Sequence, residues 1–134
     1  MNKSKVDKLM MSSAQVWAEA SYSERMKVGA VISKGGRIIS TGYNGTPAGF
    51  DNRCETEGVT NPEVVHAEEN AILFCAKNGM ATEGATLYTT VSPCGVCAKM
   101  IVVSGIKRVV YKEEYRDTSA LDFLWEAGVE VTKM

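Results

Sequence analysis

The sequence predicts a three-layer α/β/α sandwich built on a mixed five-stranded sheet. Three observations lead there. Apolar runs of strand length alternate with segments of helical period. The first two strand-like runs flank Lys34-Gly-Gly36, the signal of a β-hairpin. The helical segments after that hairpin end at glycines, and the next strand-like run follows each. The implied order is αββαβαβαβ.

Taken in order, Lys5 to Ala20 carries Val6, Leu9, Met10, Ser13, Val16, Trp17 and Ala20 on a roughly helical face. Val28 to Ser33 and Arg37 to Thr41 are the hairpin strands. Gly42 to Pro62 holds Gly42, Gly45, Pro47, Gly49, Gly58 and Pro62 and reads as a long functional loop. Ala67 to Asn78 is helical in period, with Gly79 as its stop. Thr86 to Val91 is β-branched and aromatic, a strand. Cys94 to Ser104 is a helix closed by Gly105, and Arg108 to Tyr111 a short buried strand. Thr118 to Ala127 is a helix ended by Gly128, and Val129 to Thr132 the last strand.

The 134 residues suit one domain, 1–134, that buries a core without disulfide staples. Apolar residues make up 45% and charged residues 23%, which excludes a disordered or collagen-like chain. No apolar run approaches the ~20 residues of a bilayer helix. The first residues are charged but lead into no apolar core of a secretory signal, so a cytoplasmic location is expected. With 15 Lys and Arg against 16 Asp and Glu, phosphate neutralisation along a nucleic acid is not expected, nor is a membrane partner. A small phosphorylated ligand needs only a few local cations and stays open.

There are 4 cysteines, Cys54, Cys75, Cys94 and Cys97, and 1 histidine, His66. In a reducing compartment a C-x-x-C pair binds metal or does redox chemistry. His66-Ala-Glu68 and Pro93-Cys94-Gly-Val-Cys97 each open a predicted helix. Cys94 and Cys97, three apart, share one helical face, and a helix N-terminus favours thiolates. Pro93 suits the start of a helix. With His66 supplied from the other helix start, across a parallel sheet edge, the set is one nitrogen and two sulfurs, which suits zinc. No second histidine exists to close the site. Cys75 lies more than ~13 Å of helical rise from His66; Cys54, in the loop, remains open as a fourth ligand by spacing. An open position suits catalytic zinc, which lowers the pKa of a water to about 7. Glu68, two residues after the histidine, is placed to take a proton from that water and pass it to a substrate nitrogen. Alone, H-x-E is weak, and C-x-x-C also fits a redox pair or two small buried residues; together they are specific.

His66-Ala-Glu-Glu-Asn-Ala-Ile72 and Ser92-Pro-Cys-Gly-Val-Cys-Ala-Lys99 resemble the two signatures of the cytidine deaminase superfamily. Val28-Gly-Ala-Val-Ile32, Gly42-Tyr-Asn-Gly-Thr-Pro-Ala-Gly49 and Ser104-Gly-Ile-Lys107 further resemble its deoxycytidylate deaminase branch, the phage type above all. The likeness covers about Val28 to Val131. It implies a cytidine deaminase-like fold and hydrolysis of dCMP to dUMP and ammonia, feeding dTMP synthesis. Zn2+ would be held by His66, Cys94 and Cys97, with Glu68 as the catalytic proton shuttle. Some phage members carry a long insertion with cysteines and histidines for a second, structural zinc. Here Phe50 to Val65 fills that place without a histidine, so one zinc per chain is expected. Cys54 is then a remnant or a free thiol and Cys75 a small core residue.

The resemblance also implies that the Ala67 N–H meets the base carbonyl, that Asn44 bonds the sugar 3′-hydroxyl, and that the Pro93 region closes over the base edge. Asn-Gly is equally a turn pair. Ser23, Arg25, Lys27, Tyr115 and Arg116 border the expected mouth and are candidates for the 5′-phosphate, although cations near strand ends are commonly just solvated. Family members are hexamers activated by dCTP and inhibited by dTTP. Gly45, Thr46, Gly49, Phe50, Asp51 and Asn52 are the corresponding candidates here: glycines let backbone approach a triphosphate, and Asp51 assists a Mg2+ ion. An ordinary surface loop is the plainer reading of that segment. Rival functions are a zinc deaminase acting on cytidine, deoxycytidine or tRNA adenosine, and a non-catalytic zinc-binding module. The net charge of −1 speaks against a tRNA partner, and Glu68 against the inert module.

Overall fold

A computed structural model describes residues 1–134. Its elements run α1 (Lys3–Ala18), β1 (Gly29–Lys34), β2 (Arg37–Tyr43), β3 (Glu55–Thr56), β4 (Val59–Thr60), α2 (Ala67–Lys77), β5 (Thr86–Val91), α3 (Gly95–Val103), β6 (Arg108–Glu113), α4 (Ser119–Glu126) and β7 (Glu130–Lys133). The five-stranded sheet has the order β2-β1-β5-β6-β7. β1 pairs antiparallel with β2 and with β5, while β5–β6 and β6–β7 are parallel. The sheet is therefore mixed, as expected. The edge between the two motif-bearing halves, β1 with β5, is antiparallel rather than parallel: the opening hairpin turns β1 back before the crossover begins.

Two cores flank the sheet. On one face Ala67, Ala71, Ile72 and Cys75 of α2, Ala98 and Ile101 of α3, and Ala120 and Leu124 of α4 pack on Ala30, Ile32, Leu87 and Val109. On the other, Met10, Met11 and Ala14 of α1 pack on Val31, Tyr88 and Val110. Three layers result, one helix against three across the sheet. Cys75 is a core residue, as its spacing suggested.

The first helix differs from its sequence reading. It starts behind Asn2, whose side chain accepts the Lys5 N–H at 2.9 Å, and its inner face is Asp7, Met10, Met11, Ala14 and Ala18. Leu9, Val16 and Trp17 are exposed. The face is turned because a charged residue belongs to it. The Asp7 carboxylate receives both arms of the Arg108 guanidinium, at 2.8 and 2.7 Å, and the Tyr88 hydroxyl at 2.7 Å. Gly29 completes the docking of α1, since a Cβ there would strike the Ala14 carbonyl oxygen.

The segment from Gly42 to Pro62 is more ordered than a single long loop. β2 continues to Tyr43, and β3 and β4 form a small hairpin inside it. No helix of the protein is long and apolar enough to cross a membrane.

Candidate active site

Local chemistry brings two helix N-termini together. Gly42 on β2 lies directly under the first turn of α2; a Cβ there would meet the Ala67 carbonyl oxygen and the Ala71 nitrogen. The Ser40 hydroxyl donates to the Ala71 carbonyl and the Asn70 amide to that of Tyr43, both at 2.7 Å. His66 is the N-cap of α2, and the Glu69 carboxylate accepts the His66 backbone N–H at 3.0 Å, so a carboxylate satisfies a free donor at the positive helix end. Cys94 is the N-cap of α3; its carbonyl accepts the Ala98 N–H at 2.9 Å. Pro93 stands one residue before that cap.

The side chains of His66, Cys94 and Cys97 converge. His66 Nδ1 is 3.4 Å from Cys94 Sγ and 3.3 Å from Cys97 Sγ, and the three donor atoms lie within 4.8 Å of one another. A tetrahedral zinc, at ~2.0–2.1 Å from nitrogen and ~2.3 Å from sulfur, sets nitrogen and sulfur about 3.5 Å apart. The spacing fits that ion. Charge points the same way. Hydrogen bonds from Cys97 and His66 hold the Cys94 thiol down at about 3, while the Cys94 contact and burial push the Cys97 thiol far up. The hydrogen bond to Cys94 raises His66 to about 9 against its burial. Two sulfurs so close cannot both ionise unless a cation lies between them. Cys54 is not part of this donor group; its Sγ faces the Asn52 carbonyl oxygen at 3.5 Å.

Glu68 sits behind His66 and is only 4% exposed. That burial raises its carboxyl to about 7, partly offset by its own backbone N–H and by the His66 charge. A carboxyl so poised exchanges a proton near neutral pH.

His66, Cys94 and Glu68 line an open cavity of about 200 Å³, room for a small molecule or a single base. Of the residues singled out in the sequence, Ser23, Arg25, Asn44, Cys54, His66, Ala67, Glu68, Cys94 and Tyr115 line it. The Asn44 side chain also ties down its own surroundings. Its Oδ1 accepts the Val28 N–H at 2.9 Å and its Nδ2 donates to the Met26 carbonyl at 2.8 Å. One lone pair and one proton of that amide remain for a ligand. Ser92 adds a contact that its sequence position does not announce. Its hydroxyl accepts the Tyr115 N–H at 2.7 Å and so fixes that residue on the cavity wall.

Several candidates do not line the cavity. Cys97 is fully buried behind Cys94. Pro93 is fully buried too, between Ser92 and Cys94, which line the cavity. Lys27 is exposed between Met26 and Val28, which line the cavity, as alternation along a chain entering a strand dictates. Arg116 is exposed and also outside the lining. Thr46, Gly49, Phe50, Asp51 and Asn52 form a surface turn: Thr46 Oγ1 donates to the Asp51 carbonyl, and Asp51 Oδ1 accepts the Arg53 N–H, each at 2.8 Å. Gly45 is buried and pairs in both directions with Val65, at 3.0 and 2.8 Å. None of these six lines the cavity. Cys54, open by spacing as a fourth ligand, lies on the wall instead, and the wall residues Thr60 and Val64 escape a reading of the sequence, because the hairpin that brings them there carries only loop signals.

Comparison with known proteins agrees with this geometry. Residues 4–113 match the family model described as the cytidine and deoxycytidylate deaminase zinc-binding region. The deoxycytidylate deaminase of Enterobacteria phage T4 is 42% identical over 149 aligned positions, covering 78% of this chain and 77% of the phage protein. That of Mycobacterium phage D29 is 41% identical, covering 81% of this chain and 94% of its own. A crystal structure of dCMP deaminase from cyanophage S-TIM5, in complex with dCMP and dUMP, superposes with a TM-score of 0.96 at 46% identity over 100% of both chains. With both signatures at helix starts facing one cavity, the chain belongs to the zinc-binding cytidine and deoxycytidylate deaminase family.

Proposed function

We propose that this protein is a single-domain dCMP deaminase that converts dCMP and water to dUMP and ammonia. The observation that carries the reading is the meeting of a zinc-fitting His66, Cys94 and Cys97 cluster with a buried, neutral-range carboxyl, Glu68, on the wall of one small cavity. The similarity to phage deoxycytidylate deaminases supports the substrate.

His66 Nδ1 and the two cysteine sulfurs would hold the zinc, which would supply a water acidic enough to ionise near neutral pH. Glu68 takes a proton from the attacking water and delivers it to N3 of the base as oxygen bonds to C4. It then carries the remaining hydroxyl proton to the amine; the C4–N bond breaks and ammonia leaves. Ala67 N–H, at the first position of α2, orients the base carbonyl, and the free valences of Asn44 meet the 3′-hydroxyl. Arg25 and Tyr115 receive the 5′-phosphate. Ammonia release from dCMP, deoxycytidine, cytosine and guanine in parallel tests this: dCMP turns over fastest, and equal rates on dCMP and deoxycytidine would refute phosphate recognition.

The same reading makes the enzyme a homohexamer activated by dCTP and inhibited by dTTP, with Mg2+ beside Asp51. The exposed apolar Leu73 and Phe74 on α2 and Val96 and Val103 on α3 support self-association. The turn from Thr46 to Asn52, exposed from Pro47 onward and close in sequence to Asn44, supports a route from effector to substrate. Velocity curves for dCMP shift with each nucleotide if so; unchanged hyperbolic curves from a monomer would remove the regulation and leave the chemistry.

A further inference from the structure

The turn Ser23–Arg25 on the cavity wall is gripped by one carboxylate from a distant part of the chain. Glu55 Oε2 accepts the Ser23 hydroxyl at 2.7 Å and the Arg25 N–H at 3.4 Å, and its Oε1 accepts the Glu24 N–H at 3.2 Å. The Ser23 hydroxyl oxygen in turn accepts the Met26 N–H at 3.3 Å, and the Ser23 N–H reaches Ser21 Oγ at 3.1 Å. Thr60, the partner of Glu55 across the β3–β4 hairpin, receives the Arg25 guanidinium on Oγ1 at 3.2 Å. The hairpin thus holds both the main chain and the side chain of Arg25. The Ser23 hydroxyl bond is also the main reason the Glu55 carboxyl stays below its usual range.

This changes the role of Ser23. A hydroxyl has one proton, and here it goes to Glu55, so Ser23 has none for a phosphate. We propose that Glu55 is a positioning residue for nucleotide recognition: it folds the Ser23–Arg25 turn onto the β3–β4 hairpin and so aims Arg25 at the substrate's 5′-phosphate. The inference rests on the reading of the cavity as a deoxycytidine monophosphate site.

Two effects of opposite sign compete at Glu55. Its negative charge lies near an incoming phosphate and repels it, so a residue acting by charge alone would improve dCMP binding when neutralised. A residue acting by position would weaken binding when its acceptors are lost. The sign of the change decides between them.

The test is kcat and KM on dCMP and on deoxycytidine for the zinc-loaded wild type, Glu55→Gln, Glu55→Ala, Ser23→Ala and the Ser23→Ala/Glu55→Gln pair, with circular dichroism and zinc content as checks of folding. Glu55→Gln keeps size and one acceptor oxygen, so it carries the test if Glu55→Ala does not fold. The expected result is a KM for dCMP raised about tenfold or more, the scale of a lost charge-assisted hydrogen bond. The dCMP kcat and the deoxycytidine kcat/KM should stay within about threefold. The double variant should be no worse than the worse single one, since both remove the same contact. An unchanged or lowered KM for dCMP in Glu55→Gln, or equal losses on both substrates, would overturn the inference while wild-type preference for dCMP stands. A wild type that does not distinguish the two substrates would overturn the underlying reading first.

Discussion

Glu68 is a carboxyl that the fold both buries and needs. Burial lifts it to about 7, and the helix start that carries it also carries His66, so one turn of backbone fixes the distance between the His66 metal ligand and the proton carrier of the proposed mechanism. Glu68→Ala should therefore keep zinc and fold but lose ~10²–10⁴-fold in kcat, the usual range for a general acid–base group. Steady-state rates beside elemental analysis check this, and a loss below tenfold would remove Glu68 from the mechanism. Arg25 belongs to the binding side of the same cavity. Its replacement by Ala should lower kcat/KM for dCMP about 10- to 100-fold, the scale of a charge-assisted hydrogen bond, with little change for deoxycytidine. A matching loss on both substrates would make Arg25 a structural residue instead.

Among the secondary elements, α2 is docked by an absence. The missing Cβ of Gly42 lets the first turn of α2 lie on β2, which sets His66 against Cys94 and Cys97. Gly42→Ala should push α2 outward, at a cost of roughly 1–3 kcal/mol by the usual scale of overpacking, and weaken zinc binding. Thermal unfolding with and without a zinc chelator measures both; an unshifted midpoint would deny the close approach. The helices and the five main strands are legible in the sequence because period, glycine stops and the Gly35-Gly36 turn agree locally. The two motifs are legible because metal ligation constrains residue type and spacing together. The β3–β4 hairpin is not: its strands are two residues each, and its turn is Glu57-Gly58 with both residues at positive φ, 52° and 78°. A glutamate there lacks the usual Asn-Gly or Asp-Gly signal. Glu55 and Thr60 are hidden with it, since nothing in their neighbourhood announces a contact with residues more than thirty positions away. The inner face of α1 is obscured for a related reason: the pairing of Asp7 with Arg108 spans 101 positions.

Across the molecule, that pair joins the single-helix layer to the sheet. The Arg108 guanidinium holds the Asp7 carboxyl below the ordinary aspartate range, and both side chains are nearly buried. Because the folded-state value is depressed, the pair's contribution is complete above about pH 4, the unfolded value, and is lost as pH falls through the folded one. Asp7→Asn leaves the Arg108 charge only the half-exposed Glu130 carboxylate as its counterion and should destabilise by about 1.5–3 kcal/mol, the scale of a lost hydrogen bond between charged groups. Unfolding curves at pH 7 and pH 3 test this: the gap between wild type and variant should narrow in acid, and a constant gap would assign the loss to packing. In the proposed mechanism the chemistry as a whole depends on one ion per chain held by His66, Cys94 and Cys97. The most direct measurement is dUMP formation from dCMP as zinc is returned to metal-free protein. The predicted curve rises from negligible activity and levels off at one zinc per chain. Full activity without metal, or a plateau only at two zincs per chain, would contradict it.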